Sequence, residues 1–189
     1  DLALPEETAR LLGEYETVVL DEAHTLEAVA SDHFGLSVSG ASVMFLLREL
    51  YNERTDRGIV AMSEDRSAIA IVQKATAAAE QFFQSLAAAG RPEVSSSGRI
   101  CRPAAVPNIL SPALLEVAQA LQAARKRTRD EDFAIELLAR AGRCQETAQK
   151  IEDLLSQKEA DYAYWVQQGG PSAQRSVALC GAPIHVAPI

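Results

Sequence analysis

The sequence predicts a mainly α-helical fold with a small β component, on three observations. Alanine, the strongest helix former, makes up about a sixth of the 189 residues. Aromatic residues contribute only 5%, which favours helices that pack closely over small side chains. Several segments repeat apolar residues every three or four positions, as one buried face of a helix requires. Apolar residues total 48% of the chain, enough to form a buried core.

Charge and cysteine content disfavour several classes of protein. The chain carries 18 Lys and Arg against 26 Asp and Glu, a net charge of −8, which disfavours a broad basic nucleic-acid surface but permits local patches. No apolar run approaches the ~18 residues of a membrane span. Cys101, Cys144 and Cys180 lie far apart without a CxxC pair, so neither a disulfide framework nor an intrachain metal site is expected. Buried thiols in a cytoplasmic protein are the prediction.

The helices follow from apolar spacing and from capping residues. The predicted helices cover residues 5–14, 25–33, 41–52, 64–89, a segment opening at Ser111, and a segment running to about residue 158. Ser111 before Pro112 predicts an N-cap, and Thr128 three residues before Glu131 has the spacing of a capping box. The helix that opens at Ser111 is predicted to bury a stripe of Leu110, Leu114, Val117, Ala118 and Leu121. The last helix spaces a second apolar stripe alternately by four and three, which favours antiparallel packing on a neighbouring long helix. This stripe consists of Leu137, Ala141, Cys144, Ala148, Ile151 and Leu155.

Strands are predicted near both ends of the chain. Residues 17–21 begin with apolar, β-branched side chains and predict a short strand buried on both faces, as in a parallel sheet. Residues 162–166 and 176–180 flank a Gly-Gly-Pro turn and predict a hairpin. Residues 99–101 predict a further short strand. The aromatic side chains of the hairpin, Tyr162, Tyr164 and Trp165, could stack on bases, but packing is the favoured interpretation.

The most specific chemical signal is the run Asp21-Glu22-Ala23-His24 behind the first strand. A carboxylate at a strand end can hold Mg²⁺ through its waters, and a second carboxylate can orient or deprotonate the water that attacks a γ-phosphate. His24 would sense the phosphate and pass the signal to a neighbouring domain. Two alternatives stay open: the acidic pair favours a helix N-terminus, and the four residues could be accidental in an unrelated helical protein.

Residues 18–27, Val-Val-Leu-Asp-Glu-Ala-His-Thr-Leu-Glu, resemble motif II of superfamily 2 helicases, and more narrowly the XPD/DinG-like branch. In that branch a helical arch domain is inserted into the first motor domain soon after the box. The segments 164–166 and 177–186 resemble the return of the chain to the motor. The resemblance implies motor residues 1–33 with motif II, a helical arch of long antiparallel helices at 34–160, and a return segment, a β-hairpin, at 161–189.

The resemblance also implies residue roles and partners. Asp21 would bind Mg²⁺, Glu22 would be the catalytic base in ATP hydrolysis, and His24 would couple hydrolysis to movement. Asp21 and Glu22 would together contact the Mg–ATP. The arch would help to enclose single-stranded DNA beside the remainder of the helicase motor.

The 189 residues contain no GxxxxGK[ST] phosphate-binding loop, no Ser-Ala-Thr motif and no arginine-bearing motif VI. We therefore expect a piece of a longer helicase that is inactive in ATP hydrolysis by itself. An iron–sulfur cluster stays undecided, because family members carry its cysteines upstream of motif II. The strand at 17–21, separated from its sheet, is expected to be frayed, repositioned or paired with the hairpin or another chain.

The densest basic run is Arg125, Lys126, Arg127 and Arg129. It is a candidate phosphate contact for single-stranded DNA, or a solvated helix end whose cations suit the helix dipole. The acidic balance also permits a different function, in which the helical region is a protein-interaction module that recruits a partner to the helicase.

Overall fold

The computed structural model describes residues 17, 19, 21–22, 35–61, 66–89, 99–100, 102–169 and 177–184. These residues form four helices and three strands, so the predicted mainly α fold with a small β component is confirmed. In chain order the elements are β1 Leu36–Ser39, α1 Gly40–Leu50, α2 Arg66–Ala89, α3 Leu110–Arg127, α4 Glu131–Ser156, β2 Tyr162–Gln168 and β3 Val177–Pro183. The helices predicted at 5–14 and 25–33 lie outside the described residues.

Helix α1 begins and ends for local reasons. The Ser39 hydroxyl accepts from the Ser42 N–H at 3.1 Å and caps the helix. The helix ends two residues before the predicted position, because Tyr51 takes an extended conformation and the chain turns back. Gly58 closes this turn at φ 144°, where an added Cβ would collide with the Leu50 carbonyl.

Helices α3 and α4 form the long antiparallel pair that the spacing predicts. Their buried faces contain every residue of the two predicted stripes: Leu110, Leu114, Val117, Ala118 and Leu121 on α3, and Leu137, Ala141, Cys144, Ala148, Ile151 and Leu155 on α4. The start of α3 lies beside the later turns of α4, where the Ser111 hydroxyl donates to the Ala148 carbonyl at 2.9 Å. Small residues at this contact let the two backbones approach closely.

Both predicted caps at this pair are wrong in detail. Ser111 lies inside α3 and is buried, and Asn108 Oδ1 accepts from its N–H at 3.1 Å. Thr128 is the C-cap of α3, whereas the side chain of Asp130 caps α4 by accepting from Phe133 N–H at 3.1 Å. The connection between the helices has three residues, from Thr128 to Asp130. Thr128 ends α3, and Asp130 is therefore the residue in place to cap α4.

The three strands form one antiparallel sheet in the order β1-β3-β2. The hairpin of β2 and β3 is confirmed, with Trp165 opposite Cys180. The strand β3 runs through Gly181 to Pro183, past its predicted end. An added Cβ at Gly181 would lie 2.8 Å from Leu154 Cδ2 and 2.9 Å from Tyr164 Cδ1, so glycine lets α4 pack directly on the sheet. The predicted strand at 99–101 is reduced to a bridge between Arg99 and Trp165, with Cys101 outside the described residues.

Strand β1 was not predicted, and it pairs with β3 from Leu36 opposite Gly181 to Ser39 opposite Ala178. By contrast, the strand predicted at 17–21 is not formed or buried at its described positions, and a frayed strand was one of the outcomes expected after separation from its sheet. Thr17, Val19 and Asp21 belong to no strand, and Val19 is 90% exposed. The partner of the hairpin is therefore β1, not the segment before the acidic box.

The sheet and the helices share one hydrophobic core. Its buried side chains include Val38 from β1, Leu47 from α1, Phe82 from α2, Leu121 from α3 and Leu179 from β3. Polar contacts also join the elements: the Lys74 ammonium of α2 lies 2.7 Å from the Glu116 carboxylate of α3, and Gln168 of β2 donates to the Ala87 carbonyl at 2.8 Å. The described parts of residues 34–160 and 161–189 are thus one packed unit.

Candidate nucleotide and DNA sites

Two members of the acidic box, Asp21 and Glu22, lie in a bend and are exposed. The Glu22 N–H donates to Asp21 Oδ1 at 2.9 Å, and Glu22 adopts a φ of 53°, in the left-handed region. The chain therefore turns sharply between the two carboxylates. His24 lies outside the described residues, so its position relative to the pair stays a prediction.

The donor set of the box fits a hydrated Mg²⁺. This ion usually keeps several waters and is held by one or two carboxylates together with substrate phosphates. Asp21 and Glu22 supply that number of carboxylates in a solvent-accessible place. Among the described residues no group of three or more His, Cys, Asp or Glu side chains is arranged for a metal ion. The two exposed carboxylates therefore suit a Mg²⁺ ion that keeps most of its waters.

The basic run lies where α3 ends and the connection to α4 begins. Arg125, Lys126 and Arg127 occupy the last turn of α3 and Arg129 follows in the connection, all of them exposed. Successive helix positions are about 100° apart, so the three helical side chains fan out rather than share one face. The acidic residues Asp130, Glu131 and Asp132 follow directly. The local charge is therefore nearly balanced, and the helix-end interpretation gains support.

The aromatic residues of the hairpin are engaged in packing. Tyr164 is buried, its ring stacks on that of Tyr162 with centroids 6.1 Å apart, and its hydroxyl contacts the Glu159 carbonyl at 3.4 Å. Burial, with smaller electrostatic contributions, raises the pKa of the Tyr164 phenol. The Trp165 side chain is partly buried. These contacts agree with the favoured interpretation of packing rather than base stacking.

The two described cysteines, Cys144 and Cys180, are buried thiols that form no disulfide with each other, as predicted. Burial raises the pKa of Cys144 to about 12, so this thiol stays protonated at physiological pH and is unsuited to nucleophilic chemistry.

One group of residues was not predicted from the sequence. It lines a polar cleft of about 450 Å³ between β1 and α1 on one side and α4 on the other. Phe45 of α1 is 62% exposed at its edge, and Arg143 and Lys150 of α4 line its opposite wall. Phe45 also lines a second cleft of about 290 Å³ between α1 and α2. The sequence contains one indication of this cleft: Phe45 is an aromatic residue that lies off the buried stripe of Val43, Leu47 and Leu50.

Comparison of the chain with protein-family models, curated proteins and solved structures found no match. No helix in the described part of the chain combines the length and apolar character needed to cross a membrane.

Proposed function

We propose that this chain is the motif II and arch segment of an ATP-dependent DNA helicase of the XPD/DinG-like type. The observation that carries the proposal is the run from Asp21 to His24 followed by a helical body. In the complete helicase, Asp21 holds Mg²⁺ and Glu22 positions and deprotonates the attacking water. His24 links the phosphate site to a neighbouring domain. Bound Mg²⁺ supplies charge neutralisation at the phosphates.

The positions of the first and last described strands, β1 and β3, support an inserted domain. An insertion requires that its two connections to the host lie close together. Strand β1 leads into α1, and β3 is the last described strand, and these two strands are direct neighbours in the sheet. The four helices between them pack with the sheet around one core. This topology is compatible with an arch that begins and ends on one motor domain.

The proposal predicts the effect of Glu22→Gln in the complete helicase. Glutamine keeps the size of the side chain but removes the base, so DNA-stimulated ATP hydrolysis should fall by about 10²–10⁴-fold. ATP affinity, measured by equilibrium binding of a labelled nucleotide, should stay near the original value. The matched control is Glu53→Gln, which changes an exposed glutamate in the turn after α1 and should leave turnover unchanged. Near-normal hydrolysis in the Glu22 variant would contradict the assignment.

A protein-recruiting role for the helical region is the second candidate. Ile135 and Leu138 lie one turn apart on α4 and are exposed, which is compatible with a small apolar contact site. The net charge of −8 favours a partner over a broad DNA surface. A titration with single-stranded oligonucleotide over a salt series separates the two functions. No measurable affinity at low salt favours recruitment.

A further inference from the structure

The cleft between α1 and α4 brings together side chains that are far apart in the sequence. Phe45 and Ser42 come from α1, and Ser37 comes from β1. Arg143 and Lys150 lie seven residues apart on α4, which places them two turns apart on one face of the helix. The volume of about 450 Å³ lies within the roughly 300–1,000 Å³ that ligand clefts span.

The two cations of this cleft are available to an anionic ligand. The nearby acidic side chain Glu49 is occupied by Arg140, with which it forms a half-buried ion pair. The Arg143 guanidinium lies 3.9 Å from the same carboxylate and remains 61% exposed. Lys150 has no ion-pair partner among the residues that the structure describes. The cleft lining contains one carboxylate, that of the exposed Glu146. The lining therefore carries a formal charge of +1.

Phe45 adds a flat apolar surface to these charges. Its ring projects beside the polar cleft instead of joining the core, although its neighbours Leu46 and Leu47 are buried. An exposed aromatic ring beside a basic groove is the combination with which proteins bind single-stranded nucleic acids, because the ring stacks on a base and the cations contact phosphates.

We propose that the cleft between α1 and α4 binds single-stranded DNA, with a base stacked on Phe45 and the phosphate backbone on Arg143 and Lys150. The proposal rests on the proposed function for its biological setting, since a helicase arch lies beside such a strand. It differs from the sequence-based candidate for phosphate contacts, the run Arg125, Lys126, Arg127 and Arg129, for which a solvated helix end was the alternative. With the acidic start of α4, that run has the same formal charge of +1 as the cleft, so charge does not separate the two sites. The exposed ring of Phe45 does, because no exposed aromatic ring belongs to the turn of the basic run.

The test is a fluorescence-anisotropy titration of this chain with labelled oligothymidine of about 15 nucleotides, between about 50 and 200 mM salt. Phe45→Ala should weaken binding by about tenfold, whereas Phe45→Trp should keep it. Phe45→Leu retains apolar volume without a stacking face and should behave as Phe45→Ala. Arg143→Ala and Lys150→Ala should each reduce the slope of log affinity against log salt by about 0.7, as the loss of one phosphate contact requires.

The control variants alter matched positions outside the cleft. Leu115→Ala removes an exposed apolar side chain of α3, and Arg54→Ala combined with Arg57→Ala removes two exposed cations in the turn after α1. Arg125→Ala combined with Lys126→Ala tests the competing basic run. These variants should bind oligothymidine like the original chain. Circular dichroism spectra that match the original spectrum establish that each variant is folded.

Three outcomes overturn the proposal. The first is that the original chain has no affinity at the lowest salt. The second is that the Arg125 and Lys126 variant loses affinity while the cleft variants keep it. The third is that Phe45→Leu binds as well as the original chain, which indicates a contact without stacking, as in protein docking.

The result is separable from the test of ATP hydrolysis. If Glu22→Gln abolishes hydrolysis while the cleft variants bind normally, the helicase assignment stands and the cleft assignment fails. If the cleft variants lose oligonucleotide affinity while Glu22→Gln turns over ATP normally, the cleft stands and the helicase assignment fails.

Discussion

The two sides of helix α4 differ in what covers them. On the inner side Leu137, Ala141 and Ile151 are fully buried against the rest of the core. On the outer side Arg143 and Lys150 are exposed and line a cleft that α1 leaves open. One helix thus stabilises the fold with one face and offers charged side chains to solvent with another. Stability and candidate function can therefore be changed separately in neighbouring residues.

Substitution of the adjacent leucines Leu137 and Leu138 tests this difference most strongly. Leu137 is fully buried, so Leu137→Ala should lower the free energy of unfolding by about 3 kcal/mol through lost burial and the cavity left behind. Leu138 is 45% exposed, and Leu138→Ala should cost less than about 1 kcal/mol. Urea unfolding followed by circular dichroism measures both values. Equal losses would show that the two sides are not distinct.

Two neighbouring arginines of α4 provide the next comparison. The Arg140 side chain is 19% exposed and pairs with Glu49 of α1, with Glu136 a further 3.8 Å contact. Arg140→Ala leaves a half-buried carboxylate without this partner and should cost about 2 kcal/mol of unfolding free energy.

Arg143→Ala is the matched control, because the Arg143 side chain is 61% exposed and its contact with Glu49 is 3.9 Å. It should change stability by less than about 0.5 kcal/mol. Both changes in unfolding free energy are measured in the same urea assay. A larger loss of stability for Arg143→Ala than for Arg140→Ala would contradict the view that Arg140 stabilises the fold and Arg143 is available to a ligand.

The last comparison concerns the buried thiol of Cys144 on the inner side of α4. Cys144→Ala removes one buried sulfur and should cost about 1 kcal/mol near pH 7. The informative quantity is the pH dependence of the effect of Cys144→Ala on stability. Burial raises the pKa of Cys144 from 9.0 to about 12. The unfolded thiol ionises first, so the stability that depends on a neutral thiol is present below pH 9 and is lost as pH rises toward 12.

The measurement is the difference in unfolding free energy between the original chain and Cys144→Ala from pH 7 to pH 10. Other titrating groups are common to both chains and cancel. At pH 10 the original chain should have lost about 1.4 kcal/mol relative to the variant, which brings the difference close to zero or reverses its sign. A difference that stays constant over this range would indicate a thiol accessible to solvent.

Much of the helical framework could be predicted because its signals are local. Every residue of the predicted stripes from Leu110 to Leu121 and from Leu137 to Leu155 lies on a buried face of α3 or α4. The stripes did not include four further buried residues, Ser111, Ala113, Ala124 and Leu154. The caps were less predictable, since Thr128 and Asp130 are both suitable cap residues and the length of the connection decides between them. Ser111 was assigned as a cap, yet its hydroxyl bonds to Ala148 on another helix.

The candidate sites were less predictable than the helices. Asp21, Glu22 and His24 could be assigned a chemistry from their order alone, but the buried strand expected before them is absent at the described positions Thr17 and Val19. The cleft was missed because Phe45 and Arg143 are almost a hundred residues apart. Each looks like an ordinary surface residue of its own helix.

The sequence by itself determined the four described helices and the hairpin, because these depend on residues that are close together in the chain. The chemistry of the acidic box stays a prediction. The tertiary structure decided that β1 completes the sheet, since Leu36-Ser37-Val38-Ser39 is too short to be identified without β3. It also decided which face of α4 stays open. That choice depends on how α1 and α4 pack together, and packing of distant segments is governed by shape and burial over the whole core.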